Sequence, residues 1–160
     1  MTSARSASAS FRPELRLVAA TIQEEQQRWY TRADRDLRRF LVHKGHALSD
    51  PSLAHWAVEL CAELSWESRR APVPVGWSSL RIAEAWARLA NLHWFFPQPR
   101  LMVAFHDTVQ WFLPWLAEQG RLDRASCICM LEQLERVRMP LLEQAREQLA
   151  ARHRFRERSR

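Results

Sequence analysis

Residues 13–43 read PELRLVAATIQEEQQRWYTRADRDLRRFLVH, and the spacing of the apolar residues in this stretch decides the fold. Leu15, Val18, Ile22, Trp29, Ala33, Leu37 and Phe40 recur at steps of three, four or seven. That is the period of one helical face, not the two-residue alternation of a strand. Ser10 and Pro13 open the segment. Proline suits the first turn because the N–H it lacks would have no intrahelical partner there. Gly45 follows as a C-terminal cap. The spacing predicts a first helix over about 13–43, long for a small domain.

The rest of the chain has the same grammar. Residues 44–50 read as a loop, and Ser49 or Asp50 before Pro51 signals a second helix over about 51–69. Leu53, Ala57, Leu60, Cys61 and Leu64 form its apolar face. Ala71 to Gly76 is a proline-punctuated extended connection, flanked by Trp66 and Trp77, which read as residues that pin it down. Ser78 or Ser79 caps a third helix over about 79–95. Its apolar arc (Leu80, Ile82, Ala83, Trp86, Ala87, Leu89, Ala90, His93 and Trp94) covers about half the helical wheel, which predicts that it sits at the centre of the bundle. Pro97 and Pro99 precede a fourth helix over about 99–119, bent near Pro114 and ended by Gly120. Asp123 caps a fifth helix running to about 152, with a kink or break expected at Pro140. The fold class that follows is all-α, a bundle of about five helices with a long first helix and a long, Pro-interrupted last one.

Length and composition agree. The chain has 160 residues, enough for one domain with its own core, and is 47% hydrophobic and 26% charged. Three glycines exclude folds and phosphate loops built on Gly-rich turns. Cys61, Cys127 and Cys129 make an odd count, which fits a reducing cytoplasm; Cys61, Cys127 and Cys129 read as small buried hydrophobes rather than a zinc site. No apolar stretch reaches the ~18 residues of a membrane span. No cofactor motif is present.

The formal net charge is +6, and its location matters more than its size. Residues 1–12, read as a mobile tail, carry Arg5 and Arg12 and no acid. Residues 152–160, read as a basic arm, carry Arg152, Arg154, Arg156, Arg158 and Arg160 against Glu157. The bundle between, 13–151, holds 17 basic and 17 acidic residues and is neutral. In an extended arm all five guanidinium groups point one way, as a comb for phosphates or for an acidic surface; in a helix they scatter.

Two internal features add to the arm. Arg28, Arg32, Arg35 and Arg39 are spaced four, three and four, so at ~100° per residue they fall within about a 60° arc on a row about 16 Å long. Such a row can track a phosphate backbone. It can equally be a solvated face paired with Glu24 and Asp36, or be covered by Glu59, Glu63 and Glu67, which stand at i, i+4 and i+8 on the second helix. Trp111 and Trp115 on the fourth helix lie about a quarter turn from its main apolar face. Either that helix is buried on two sides or the pair is an exposed partner-binding patch.

His106-Asp107, set in an apolar helix, resembles the metal-binding dipeptide of HD-domain phosphohydrolases. That resemblance implies an earlier His, here His55, and a later Asp, here Asp123, as further metal ligands. The ordinary reading is a helix-face histidine beside a solvated aspartate. The function expected first is a non-enzymatic accessory subunit that docks in a larger assembly and contacts nucleic-acid backbone without sequence specificity, using the Arg row and the arm. The second is a protein-binding adaptor or self-assembling module using Trp111, Trp115 and the face of the last helix. A metal-dependent phosphohydrolase comes third.

Overall fold

The structure, a computed structural model, describes residues 13–68, 70–91 and 99–158. Among these the chain forms α1 (Pro13–His43), α2 (Pro51–Ser65), a 3₁₀ turn (Trp77–Ser79), α3 (Ile82–Asn91), α4 (Pro99–Glu118) and α5 (Arg124–Arg158), with no strand. It is an all-α bundle. The N-terminal stretch 1–12 and the predicted core residues His93 and Trp94 lie outside the described residues.

Several helix ends are where capping chemistry puts them, but α2 stops at Ser65 rather than about 69, and α3 starts at Ile82 because Ser78 and Ser79 belong to the 3₁₀ turn. Asp50 caps α2 by accepting from Ser52 N–H at 3.2 Å, with Pro51 in the first turn. Asp123 caps α5 by accepting from Ser126 N–H at 2.9 Å. Gly45 and Gly120 adopt φ of 71° and 65°, a region closed to most side chains. Each supports a Schellman ending: Gly45 N–H donates to Val42 and His46 N–H to Leu41, and the same pattern joins Gly120 to Ala117 and Arg121 to Leu116. Both predicted interior prolines lie within helices: α4 continues through Pro114 and α5 through Pro140 without a break. The buried stripe of α5 does shift at Pro140, from Cys127, Met130 and Leu134 to Leu142 and Ala145, so Leu141 is only half-buried.

α4, not α3, is the centre. α4 packs against α5, α2 and α1. It buries Met102, Ala104, Phe105, Val109, Phe112, Leu113, Trp115 and Leu116, residues that cover about half of its circumference. Phe112 lies between Trp77 and Trp115, with ring centroids 5.3 and 5.6 Å away, and Trp86 of α3 meets Phe105 edge-on at 5.8 Å. α3 buries only Ile82, Ala85 and Trp86 among its described side chains, while Ala83 and Ala87 face solvent. The wide arc read from the sequence counted those small alanines as core, although an alanine hides too little apolar area to dictate which way a helix turns.

Two helices are longer than the core that holds them. α1 buries Tyr30, Ala33, Leu37 and Leu41, but over 18–28 its side chains are exposed apart from the half-buried Ile22 and Gln26, and Val18 is 56% exposed. α5 lies antiparallel to α4, with His106 opposite Glu135. α4 begins seven residues before His106, so α5 outruns it about seven residues after Glu135. Beyond Ala145 no residue of α5 is fully buried, and 150–158 are all exposed.

Lysine substitutions on α3 test this placement. Ala85→Lys puts an unpaired charge in the core and should cost more than about 3 kcal/mol. Ala87→Lys, two residues on, should change stability by less than about 0.5 kcal/mol. Urea denaturation of the two variants checks the pair, and equal losses would return α3 to the centre of the bundle.

Candidate nucleic-acid interface

On α1 the buried residues Tyr30, Ala33, Leu37 and Leu41 define an inward stripe. At ~100° per residue, Arg28, Arg32, Arg35 and Arg39 are centred on the opposite side of the helix. All four are exposed. Their carboxylate partners lie along α1 itself: Glu24 is 3.5 Å from Arg28, and Asp36 is 3.3 Å from Arg35 and 3.8 Å from Arg39. Arg32 has no carboxylate within ion-pair distance among the described residues. Arg38, one step off the row, is half-buried, bonded to Asp34 at 3.0 Å and to the Pro51 carbonyl at the start of α2. Exposed pairs of this kind contribute little, so a phosphate can displace Glu24 or Asp36 at small cost. Arg38 is a structural tie.

The Glu59, Glu63 and Glu67 row does not cover these arginines. It lines a cleft of about 710 Å³ together with Ala19, Ile22, Gln23, Gln26, Gln27, Tyr30 and Trp66, with Arg70 and Arg88 also at its wall. The α1 residues of this cleft continue the inward stripe, so they stand about half a turn from the Arg row. Past Tyr30 the stripe changes from apolar residues to glutamines, and α1 stops closing on α2. Gln26 donates to the Ala71 carbonyl at 3.0 Å, tying α1 to the proline-rich connection. Tyr30 and Trp66 rings meet at 5.5 Å. The Tyr30 phenol is pushed well above its ordinary pKa, first by burial and then by Glu59 and Glu63. Burial also raises the Glu59 pKa, with Glu63 adding to the rise and His55 opposing it. The cleft is an acidic, aromatic recess that the i, i+4 spacing of the glutamates hinted at, but its glutamine wall carries no motif.

The predicted arm is the end of α5. Arg152, Arg154, Arg156 and Arg158 are helical and exposed, and Arg160 lies outside the described residues. The extended comb therefore does not form. Arg152 and Arg156 share one side of the helix and Arg154 and Arg158 nearly the opposite side.

The Trp111–Trp115 pair does not form an exposed patch. Trp115 is 7% exposed and stacked on Phe112, so α4 is buried on two sides there. Trp111 is half-buried against His46, ring centroids 4.0 Å apart, and borders a shallow groove of about 280 Å³ with Pro114 and Leu131. The aromatic load is spent mainly on the core and on the connection, where Trp77 stacks on Trp29 at 5.6 Å.

The residues implied by the HD-domain resemblance are engaged separately. His106 is 5% exposed and bonded through Nε2 to Glu135 at 3.0 Å. A carboxylate only accepts, so His106 carries its proton on Nε2. Asp107 accepts from Ser49 N–H at the α2 approach. His55 meets Gln27 and Tyr30, and Asp123 caps α5. Among the described residues no three His, Cys, Asp or Glu side chains are grouped to hold a metal ion. Cys61 and Cys127 are buried, and burial pushes the Cys61 thiol up to about 12; Cys129, read as a small buried hydrophobe, is instead exposed. No described helix is long and apolar enough to cross a membrane. Comparisons with protein-family models, curated proteins and solved structures returned no match to this chain.

His106 couples the α4–α5 contact to pH. Burial, the largest cause, lowers its pKa, with Arg138 adding to the effect and Glu135 opposing it. The fold therefore resists a proton that the unfolded chain accepts near pH 6.5, and stability rises with pH through that window. The thermal midpoint should fall as pH drops below about 6.5, and His106→Gln should remove most of that slope. An unchanged slope in the variant would assign the proton uptake to another group.

Proposed function

We propose that the chain is a non-enzymatic accessory subunit that docks in a larger assembly and contacts nucleic-acid backbone through α1, without reading sequence. One observation carries this reading: four arginines form an exposed row about 16 Å long, diametrically opposite the buried stripe of α1 and out of reach of the Glu59, Glu63 and Glu67 row. Guanidinium groups suit phosphate oxygens through paired N–H donors. Spacing of four, three and four follows a smoothly charged strand but sets no base-reading register.

Salt titration tests it. If all four arginines meet phosphates, removing them should reduce the magnitude of the log K against log salt slope by about 3 to 4 on duplex DNA. The variant Arg28→Gln, Arg32→Gln, Arg35→Gln, Arg39→Gln should bind fluorescent duplex or single-stranded probes at least tenfold more weakly than the parent at low salt. The same affinity and slope in both proteins would overturn the reading.

A second reading is a protein-binding or self-assembling helical module. It is favoured by the neutral body and by the shallow groove of Trp111, Pro114 and Leu131 beside the exposed Ile128. The discriminating result is what remains bound after nuclease treatment of the purified protein.

A further inference from the structure

The cleft between α1 and α2 holds a buried hydroxyl with nothing to bond to. Tyr30 is 4% exposed and lines this cleft of about 710 Å³. Its contacts are ring contacts, with Trp29, His55 and Trp66, and among the described residues its phenol makes no hydrogen bond. A buried hydroxyl left in that state is costly. Glu59, half-buried, and Glu63 line the same cleft one turn apart on α2, and neither has an ion-pair partner among the described residues. Arg70 and Arg88 also line the cleft but reach neither carboxylate within ion-pair distance. Burial, then Glu59 and Glu63, raise the Tyr30 pKa; burial and Glu63 raise that of Glu59, with His55 opposing. A cation placed among these three groups relieves both.

An ammonium group has the chemistry these oxygens lack. It only donates, and its N–H groups can be shared among Glu59, Glu63 and the Tyr30 phenol. Trp66, whose ring centroid is 5.5 Å from that of Tyr30, supplies an aromatic neighbour for a cation. A bare metal ion has no such place, since among the described residues no three His, Cys, Asp or Glu side chains are grouped to hold one. The remaining wall suits methylene groups and further N–H donors: Ala19 and Ile22 are apolar, Gln23 and Gln27 carry amide oxygens, and Glu67, in the turn after α2, adds a third carboxylate. The cleft has the volume of a small-molecule site. We propose that it binds a linear alkylamine carrying two or more ammonium groups, with one ammonium held by Tyr30, Glu59 and Glu63 and the methylene chain against Ile22. The chain as a whole carries +6, which repels cations, so only a local site of this kind retains one. The site is about half a turn of α1 away from the Arg row and does not depend on backbone binding by that row.

Isothermal titration of the full, nuclease-treated chain with putrescine tests this, with magnesium chloride at matched ionic strength as the charge-only control. Putrescine should saturate one site per chain, and magnesium should bind at least about tenfold more weakly. Glu63→Gln, at an exposed position, removes one charge and should weaken putrescine binding about tenfold. Tyr30→Phe keeps the ring and its packing, loses only the hydroxyl, and should weaken binding by about threefold or more. Glu143→Gln removes the same charge from an exposed position on α5 and should bind putrescine as the parent does. No saturable putrescine binding, equally tight magnesium binding, parental affinity in Glu63→Gln or Tyr30→Phe, or an equal loss in Glu143→Gln overturns the proposal. If circular dichroism shows that Glu63→Gln has lost its helices, Tyr30→Phe decides alone, and parental affinity there overturns it. No nucleic acid enters these measurements, so failure here is distinct from failure of backbone binding.

Discussion

The fold depends on the enclosure of α4. Its buried face takes up about half of the helix, wider than one neighbour covers, and α1, α2 and α5 all pack on it. Phe105 and Phe112 fix the approach of the rest: Trp86 brings α3 against Phe105, and Trp77 brings the proline-rich connection against Phe112. Burying rings of this size contributes about 1.5–3 kcal/mol for each phenylalanine side chain. Polar groups on α4 are accommodated rather than expelled. Thr108 donates to the Ala104 carbonyl at 2.8 Å, and His106 finds Glu135 at the edge of the core.

That enclosure also determines where functional surfaces can be. α4 is a 20-residue helix, while α1 has 31 residues and α5 has 35. Beyond the length of α4 few side chains are buried. The excess of α1 lies N-terminal to Tyr30 and the excess of α5 lies C-terminal to Ala145. On the inward side of α1, Gln23, Gln26 and Gln27 interleave there with Ala19 and Ile22, and at the end of α5 Arg152, Arg154, Arg156 and Arg158 take over. The acidic cleft arises from the same cause, since α1 continues beyond the last apolar contact and leaves α2's glutamates facing glutamines.

The helix boundaries set by a capping residue or glycine were legible because they rest on local chemistry, whereas the end of α2 at Ser65 and the start of α3 at Ile82 were not. Asp50, Pro51, Gly45, Gly120 and Asp123 each act on backbone groups a few residues away, and no tertiary partner changes that. Burial was less legible, because it depends on what packs against a helix. Ala83 and Ala87 widened the apparent face of α3 without being needed in the core, and Trp115 looked peripheral although Phe112 and its neighbours surround it. Charge patterning revealed each row but not the direction in which it points. Arg28 to Arg39 and Glu59 to Glu67 looked capable of neutralising each other, yet α1 presents its inward face to α2 and its arginines to solvent. The arm's helical state was equally hidden, because alternate arginines suit an extended chain as well as the frayed end of a helix.

The α1 row and the arginine end of α5 are two different kinds of surface: the row lies within the neutral stretch 13–151, while the +6 comes from residues 1–12 and 152–160. Both are electrostatic, and salt screens both, so ionic strength alone does not separate them. Register does. The α1 row has mixed spacing and suits a partner whose charge is nearly continuous, as on a nucleic-acid strand with a phosphate every ~3.4 Å along the axis. The α5 end instead holds its arginines in two pairs at four-residue spacing. Helicity is what creates that distinction. Were residues 152–158 extended, their arginines would form a comb suited to any acidic surface; wound into α5, they become two short ladders on opposite sides.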